Sequence, residues 1–581
     1  MHLAFSILPI ALLVALMTLP VARLRMPWPA HIALPVVALL VYGMQLFFLA
    51  AYASGVNPPV DAHTSRNSPP VTTIVHAAAI DGLLSALTPL AIVLGAVLLF
   101  KTMEKSGSMG VITSGLRSLT PDPVAQLVLV GWSFSFLIEG LSGFGTPAAL
   151  AAPILVGLGG GRFPAMRIAA MCLIMNSVPV SFGAVGMPTW FGLGGIGLSS
   201  KDIGEIGWRT ALIHTAAAPV IALLALRVVV PWRDVRARAG FVLLSVASSV
   251  VPFLVASRFS VEFPSIVGGV SGLIGVAVLA RWRIGLPREA YLETAEPQAA
   301  GAIGRMPGVS WVRAAMPLLA TVLLLAVTRI DAFGIKGLLT SSTGAASVSL
   351  GGLGEAWISP ALVVGLRDIL GTGTEWKMPL LYVPFILPFV VVALASIPWL
   401  RMSKAAVRAA WSETAQRLLR PAVALAGALV LVKMMMVGGL SGETAPAMVM
   451  GRAMADAAGS SWPYFASLLG ALGSFFSGSN TVSNLMFGPI QLAVAGGLGE
   501  GGLDRVTILA LQSVGGAMGN MVCIHNIVAV AAVLGLSEEN ATKGEGGGGG
   551  VASVLGLMVG PLLVYAIIAA AMAGVLSIVY S

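Results

Sequence analysis

The sequence predicts an all-α polytopic membrane protein of about 12–14 transmembrane helices, built as two inverted repeats with re-entrant helical hairpins. Three observations predict it. Of 581 residues, 57% are hydrophobic and 10% charged, where a soluble chain carries roughly 25% charged residues. Apolar runs of about 20 residues recur at 32–53, 87–103, 211–230, 381–400 and 421–440, each able to cross a core about 30 Å thick. Finally, a short signature occurs twice. Ser142-Gly143-x-x-Thr146-x-x-x-Leu150 returns as Ser477-Gly478-x-x-Thr481-x-x-x-Leu485, 335 residues on (142 to 477). Asn176-Ser177-Val178 with Gly183 returns as Gln512-Ser513-Val514 with Gly519, 336 residues on (177 to 513).

Runs this long and continuous exclude a β-barrel, whose strands alternate over about ten residues. The run 3–21 precedes Arg23 and Arg25, so it reads as a first span with an outside N-terminus rather than a cleaved signal, whose charges come first. The span 32–53 returns outward, and residues 54–70 form an outside loop. Residues 76–84 read as a short interfacial helix. The span 87–103 leads to the basic loop of Lys101, Lys105 and Arg117, so 124–138 enters from the cytoplasmic side. Residues 241–257, 265–280 and 311–327 read as scaffold, 281–313 as a polar cytoplasmic loop and 331–377 as a long outside segment with little periodicity. The loop 401–420 carries five basic residues and is assigned to the cytoplasm. The segment 443–461 is short and charged; if it stays outside, 464–476 enters from the outer face and the repeat is inverted, and if it crosses, the repeat is parallel. Residues 545–550 read as a glycine linker before a last span, 551–580. The domain boundaries that follow are an N-terminal span (1–30), a first repeat (31–240) with its hairpin around 124–158, a connector (241–375), and a second repeat (376–581) with its hairpin around 462–497.

The candidate chemistry sits at the two signatures. The glycines after Glu139 stop an incoming helix. Thr146 suits an N-cap and Pro147 the first helical position, so a new helix should begin there. Its free N–H groups and positive dipole end can hold an anion. Gly143, Gly145 and Thr146 from the first break, and Ser479, Asn480, Thr481 and Asn484 from the second, are therefore candidate substrate-binding residues. Asn176, Ser177, Gln512 and Ser513 are neutral hydrogen-bonding groups suited to a substrate hydroxyl. All of these can equally serve close helix packing. An ionised side chain inside the membrane costs several kcal/mol, so Glu139 is a candidate to take up and release a proton. His525 is the second such candidate. Lys433 is read as a snorkelling or structurally paired lysine, and Asp81 as interfacial.

The formal net charge of +9 is carried in short loops, which fits orientation in a membrane and needs no nucleic acid. Cys172 and Cys523 have neither disulfide nor metal spacing. No catalytic constellation, nucleotide loop, metal site or cofactor is expected, so transport would run on an ion gradient, H+ or alternatively Na+. The partners expected are a small organic anion and the lipid bilayer. Oligomeric state stays open, with a homodimer as one arrangement.

Glu139-Gly-x-x-Gly-Phe-Gly-Thr-Pro147 resembles the most recognisable motif of the L-lactate permease family, and Ser477-Gly-Ser-Asn-Thr-x-Ser-Asn-x-x-Phe-Gly488 is similar to its second. Thr328-Arg329 and the run from Gly515 to Met521 are similar to weaker family patterns. The resemblance implies a proton symporter for lactate, glycolate and similar short 2-hydroxy monocarboxylates in a bacterial inner membrane. It also implies kinship with the ion-transporter superfamily and its paired re-entrant hairpins. Ser479-Asn480-Thr481 is similar to the signature of sodium-coupled dicarboxylate carriers, which keeps sodium as the alternative coupling ion. An anion channel is the further alternative.

Overall fold

The computed structural model describes residues 2–18, 28–53, 69–143, 146–159, 163–287, 310–329, 333–437, 445–497, 504–534 and 551–580. The chain forms two compact units, Met1–Ser106 with Met316–Met454, and Gly107–Ala315 with Ala455–Ser581. Among the described residues, eight helices are long and apolar enough to cross a membrane, and a ninth span results if one bent pair is counted as one. The apolar helices His31–Phe47, Pro147–Gly157 and Ile386–Trp399 are shorter. A multi-pass α-helical membrane protein is therefore what the sequence folds into, with some of the expected spans broken or short.

In the first unit the long helix Lys404–Met436 packs against Ala30–Ala53, Val71–Ser85 and Leu87–Lys105. Several polar side chains at these contacts are paired. Lys433 Nζ sits 2.5 Å from Asp81 Oδ2, the structural partner expected of such a lysine. The Gln45 amide donates to the Met434 and Val437 carbonyls. Buried Lys101 bridges Glu104 at 2.6 Å and Glu413 at 2.9 Å. The segment read as long and irregular contains an antiparallel meander, β1 (Ala346–Ser349), β2 (Glu355–Ile358), β3 (Val363–Arg367) and β4 (Trp376–Pro379), in spatial order 1-2-3-4. Leu366 and Ile369 pack with Ala77 of the helix Val71–Ser85. Strands of four or five residues, one of them wholly exposed, give no alternation long enough to read from sequence.

The second unit holds both signatures. Asp122 caps Pro123–Val128, its Oδ1 accepting from the N–H of Val124 (2.9 Å) and of Ala125 (3.0 Å), with Pro123 in the first turn. The helix widens through a π turn, Leu129–Phe134, and continues as Ser135–Ser142. Of the most apolar part of Pro123–Ser142, 94% is buried, against 22% for Val554–Val579, so the first is an interior arm and the second is largely uncovered. The second hairpin runs Pro463–Ser477, then Asn480–Gly497. The helix Pro446–Ala458 before it has 13 residues, about 20 Å, too short to cross alone.

Candidate functional site

Each signature stops a helix as its residues demand. Ser135–Ser142 ends at Gly143 with φ +60°, and Pro463–Ser477 ends at Gly478 with φ +69°, positions where a side chain would strain the backbone. The outgoing arms begin at Thr146 and at Asn480. At the second tip, the Ser479 hydroxyl accepts from the Val482 N–H (3.4 Å) and the Ser479 carbonyl accepts from the Ser483 N–H (3.0 Å). The N–H groups of Asn480 and Thr481 have no partner inside their own helix, by their position in its first turn.

The two tips meet on one cavity of about 20 Å³. Glu139 and Gly143 line it from the first hairpin, Gly478, Ser479, Asn480 and Thr481 from the second, and Gly183, Ala184 and Asn520 from the segments that follow. That volume accepts about one water.

Glu139 is buried on the cavity wall, and its Oε2 accepts from Asn176 Nδ2 at 2.9 Å. Among the described residues no Lys, Arg or His pairs with it. Its other oxygen fills the place a Gly183 side chain would take. Gly183 opens a turn with three consecutive left-handed residues, Ala184 (φ 45°), Val185 (φ 58°) and Gly186 (φ 73°). For a β-branched residue such as Val185 this conformation is a real outlier, with a cost of order 1–3 kcal/mol. Neighbouring bonds hold it: Trp190 Nε1 donates to the Val185 carbonyl (2.9 Å), Thr189 to the Ser181 carbonyl (2.7 Å) and Asn484 Nδ2 to the Pro188 carbonyl (2.9 Å).

The other candidates divide. Asn480 lines the cavity and donates through Nδ2 to Ser181 Oγ (3.2 Å) and to the Ser513 carbonyl (3.0 Å). The Oδ1 atoms of Asn176 and Asn480 are buried with no hydrogen-bond donor among the described residues. Ser177 spends its hydroxyl on the Ile174 carbonyl (2.7 Å). Gln512 donates to Ser483 Oγ (3.1 Å) and accepts from Gln491 (3.0 Å), away from the cavity lining. Asn484 and Ser513 are likewise behind the wall rather than on it. Gly145 lies outside the described residues, as do the side chains of Thr146 and His525. The two halves are not copies in detail. The first helix breaks directly after Asn176, bending by 61°, whereas Arg505–Met521 stays helical through Gln512 and Ser513 and stops at Val522. Sequence reading missed Asn520, Ser181, His214 and Tyr565. The last three are single polar residues in apolar helices or turns, and only the fold brings them together.

A multi-pass helical protein with two broken hairpins whose tips share a small polar cavity has the architecture of a membrane transport protein. The L-lactate permease sequence profile matches residues 4–579. A Haemophilus influenzae protein, provisionally named an L-lactate permease, is 42% identical over 97% of this chain and 96% of its own length. An L-lactate permease of Salmonella typhimurium is 28% identical over 79% of this chain and 81% of that one. A glycolate permease of Escherichia coli is 27% identical over 80% and 82%. Among solved structures, the Alcanivorax borkumensis YdaH transporter is similar with a TM-score of 0.45 and 17% identity, over 94% of this chain and 98% of that one. The chain belongs to the L-lactate permease family.

Proposed function

We propose that the protein is a secondary transporter of lactate, glycolate and related 2-hydroxy monocarboxylates, moving each anion with a proton across a bacterial inner membrane. The names of the L-lactate and glycolate permeases among its relatives support the substrate class. One observation carries the coupling: Glu139, a buried carboxyl paired with no base among the described residues, shares its cavity with the helix start at Asn480 and Thr481. The substrate carboxylate takes the N–H groups of that helix start, where the dipole favours it. Two unit charges about 5 Å apart repel by about 3 kcal/mol at an effective dielectric near 20. An anion therefore settles beside Glu139 when Glu139 is protonated, and the proton travels with it.

A sodium-coupled reading is favoured by the unpaired Oδ1 atoms of Asn176 and Asn480, which are the hard oxygen ligands a small cation takes. Proteoliposomes under separate gradients decide between the two. A pH gradient, acid outside, should drive L-lactate accumulation without sodium. Glu139→Gln should abolish that accumulation while counterflow exchange persists. Full accumulation on a sodium gradient alone would end the proton reading, and wild-type pH-driven uptake in Glu139→Gln would remove Glu139 from it.

A further inference from the structure

A buried polar chain runs from the last helix to the cavity wall, and the transport step above does not use it. Tyr565, on Val551–Val579, bonds through its hydroxyl to His214 Nδ1, on Ser200–Val229. His214 Nε2 lies 2.8 Å from Ser181 Oγ. Ser181 Oγ lies 3.1 Å from the Ser513 carbonyl oxygen and 3.2 Å from Asn480 Nδ2. All five residues are buried. The Phe253 ring faces the imidazole edge-on with centroids 6.4 Å apart, and no charged side chain contacts the imidazole among the described residues.

Hydrogen counting orients the chain. The Ser513 carbonyl can only accept, so Ser181 gives it its single hydrogen. Ser181 Oγ then accepts from Asn480 Nδ2 and from His214 Nε2. A neutral ring with its hydrogen on Nε2 has Nδ1 free to accept, and Tyr565 supplies that hydrogen. The opposite tautomer, or a charged ring, turns an N–H toward the Tyr565 oxygen and leaves the phenol hydrogen buried without an acceptor, at a cost of about 1–3 kcal/mol.

The Asn480 side chain is thereby fixed with its amide hydrogens toward Ser181 and Ser513. We propose that His214 is a positioning residue for the substrate site. It acts as a neutral Nε2–H donor through Ser181, and so holds the start of the second hairpin's outgoing helix where its N–H groups meet the anion. It does not carry the transported proton. This rests on the reading of the hairpin cavity as the transport site.

Two measurements on the full chain in lipid nanodiscs and liposomes test it. In ¹⁵N-histidine-labelled protein, the His214 signals are those that vanish in His214→Gln. They should show the neutral Nε2–H tautomer at pH 5 through pH 8; an Nδ1–H tautomer or a charged ring overturns the proposal. In reconstituted uptake of L-lactate, His214→Leu should raise KM about tenfold with kcat within about threefold, the size of one lost hydrogen bond. His214→Gln, whose amide can restore the donor, should bring KM back within about threefold of wild type. Tyr565→Phe, which frees the tautomer, should fall between. An unchanged KM in His214→Leu overturns the proposal, as does loss of pH-driven accumulation with retained exchange in His214→Gln, since that makes His214 the carrier. If His214→Leu or Tyr565→Phe does not fold, the tautomer of the wild-type protein, assigned through His214→Gln, still decides. Failure of wild-type protein to move L-lactate sinks the transport reading alone, because the tautomer measurement involves no substrate.

Discussion

Glu139 depends on a neighbour that is defined by what it lacks. A methyl group on Gly183 would occupy the position of Glu139 Oε1, on the wall of the cavity. Gly183→Ala must therefore push the carboxyl out of place or distort the left-handed turn that follows, at about 1–3 kcal/mol. Initial L-lactate uptake should fall at least about tenfold, as 1.4 kcal/mol of lost transition-state stabilisation does, with the protein still monodisperse in detergent. Unchanged uptake would separate the carboxyl's placement from transport. Asn176 makes the complementary case. Asn176→Ala leaves a buried carboxyl oxygen without its donor, at about 1–3 kcal/mol. The thermal midpoint should drop, and it should recover in Asn176→Ala combined with Glu139→Leu, which removes both partners; no recovery would mean the bond carries little of the stability. At this scale the sequence was readable where a residue broke its surroundings. A lone acid between apolar residues announced Glu139. His214 gave no such signal, since its partners Ser181 and Tyr565 lie 33 and 351 residues away.

Helix breaks were legible where glycine, threonine and proline wrote them. The helices stop at Gly143 and Gly478, inside the two signatures, and the helix expected to begin at Pro147 is observed as Thr146–Gly159. The turn at Ala184–Val185 was not legible, because alanine and valine are poor choices for left-handed backbone and only tertiary bonds keep them there. The four-stranded sheet escaped for a similar reason, its strands being held by pairing and by the helix Val71–Ser85 rather than by a pattern of their own. Element packing carries its own prediction. Pro463–Ser477 lies so close to Arg505–Met521 that a side-chain carbon at Gly515 would strike the Ser467 carbonyl oxygen. Small residues allow such approach between membrane helices. Gly515→Ala should part the two helices and lower stability by about 1–3 kcal/mol, read as a lower melting midpoint in detergent. An unshifted midpoint would mean that this contact is looser than the geometry indicates.

For the molecule as a whole, the open question is the direction in which each hairpin enters the bilayer. Both hairpins lie in one unit and their tips line one cavity, but a shared cavity is compatible with inverted or parallel copies. The placement of basic residues predicts inversion. Lys101, Lys105 and Arg117 precede the first hairpin and mark its entry side as cytoplasmic. Five basic residues in 401–420 mark the start of Lys404–Met436 as cytoplasmic too, so that helix delivers the chain to the outer face. At 13 residues, Pro446–Ala458 is too short to cross back as a helix alone. On this reading the second hairpin is predicted to enter from outside. Ser118 and Ser460 are exposed beside the two entry points, and both native cysteines are buried and can be replaced without opening a surface. In such a cysteine-free background, Ser118→Cys should react with a membrane-impermeant maleimide only after the cells are opened, and Ser460→Cys in intact spheroplasts. Labelling of both from the same side would make the copies parallel. The two tips would then have to reach their common cavity by unlike routes.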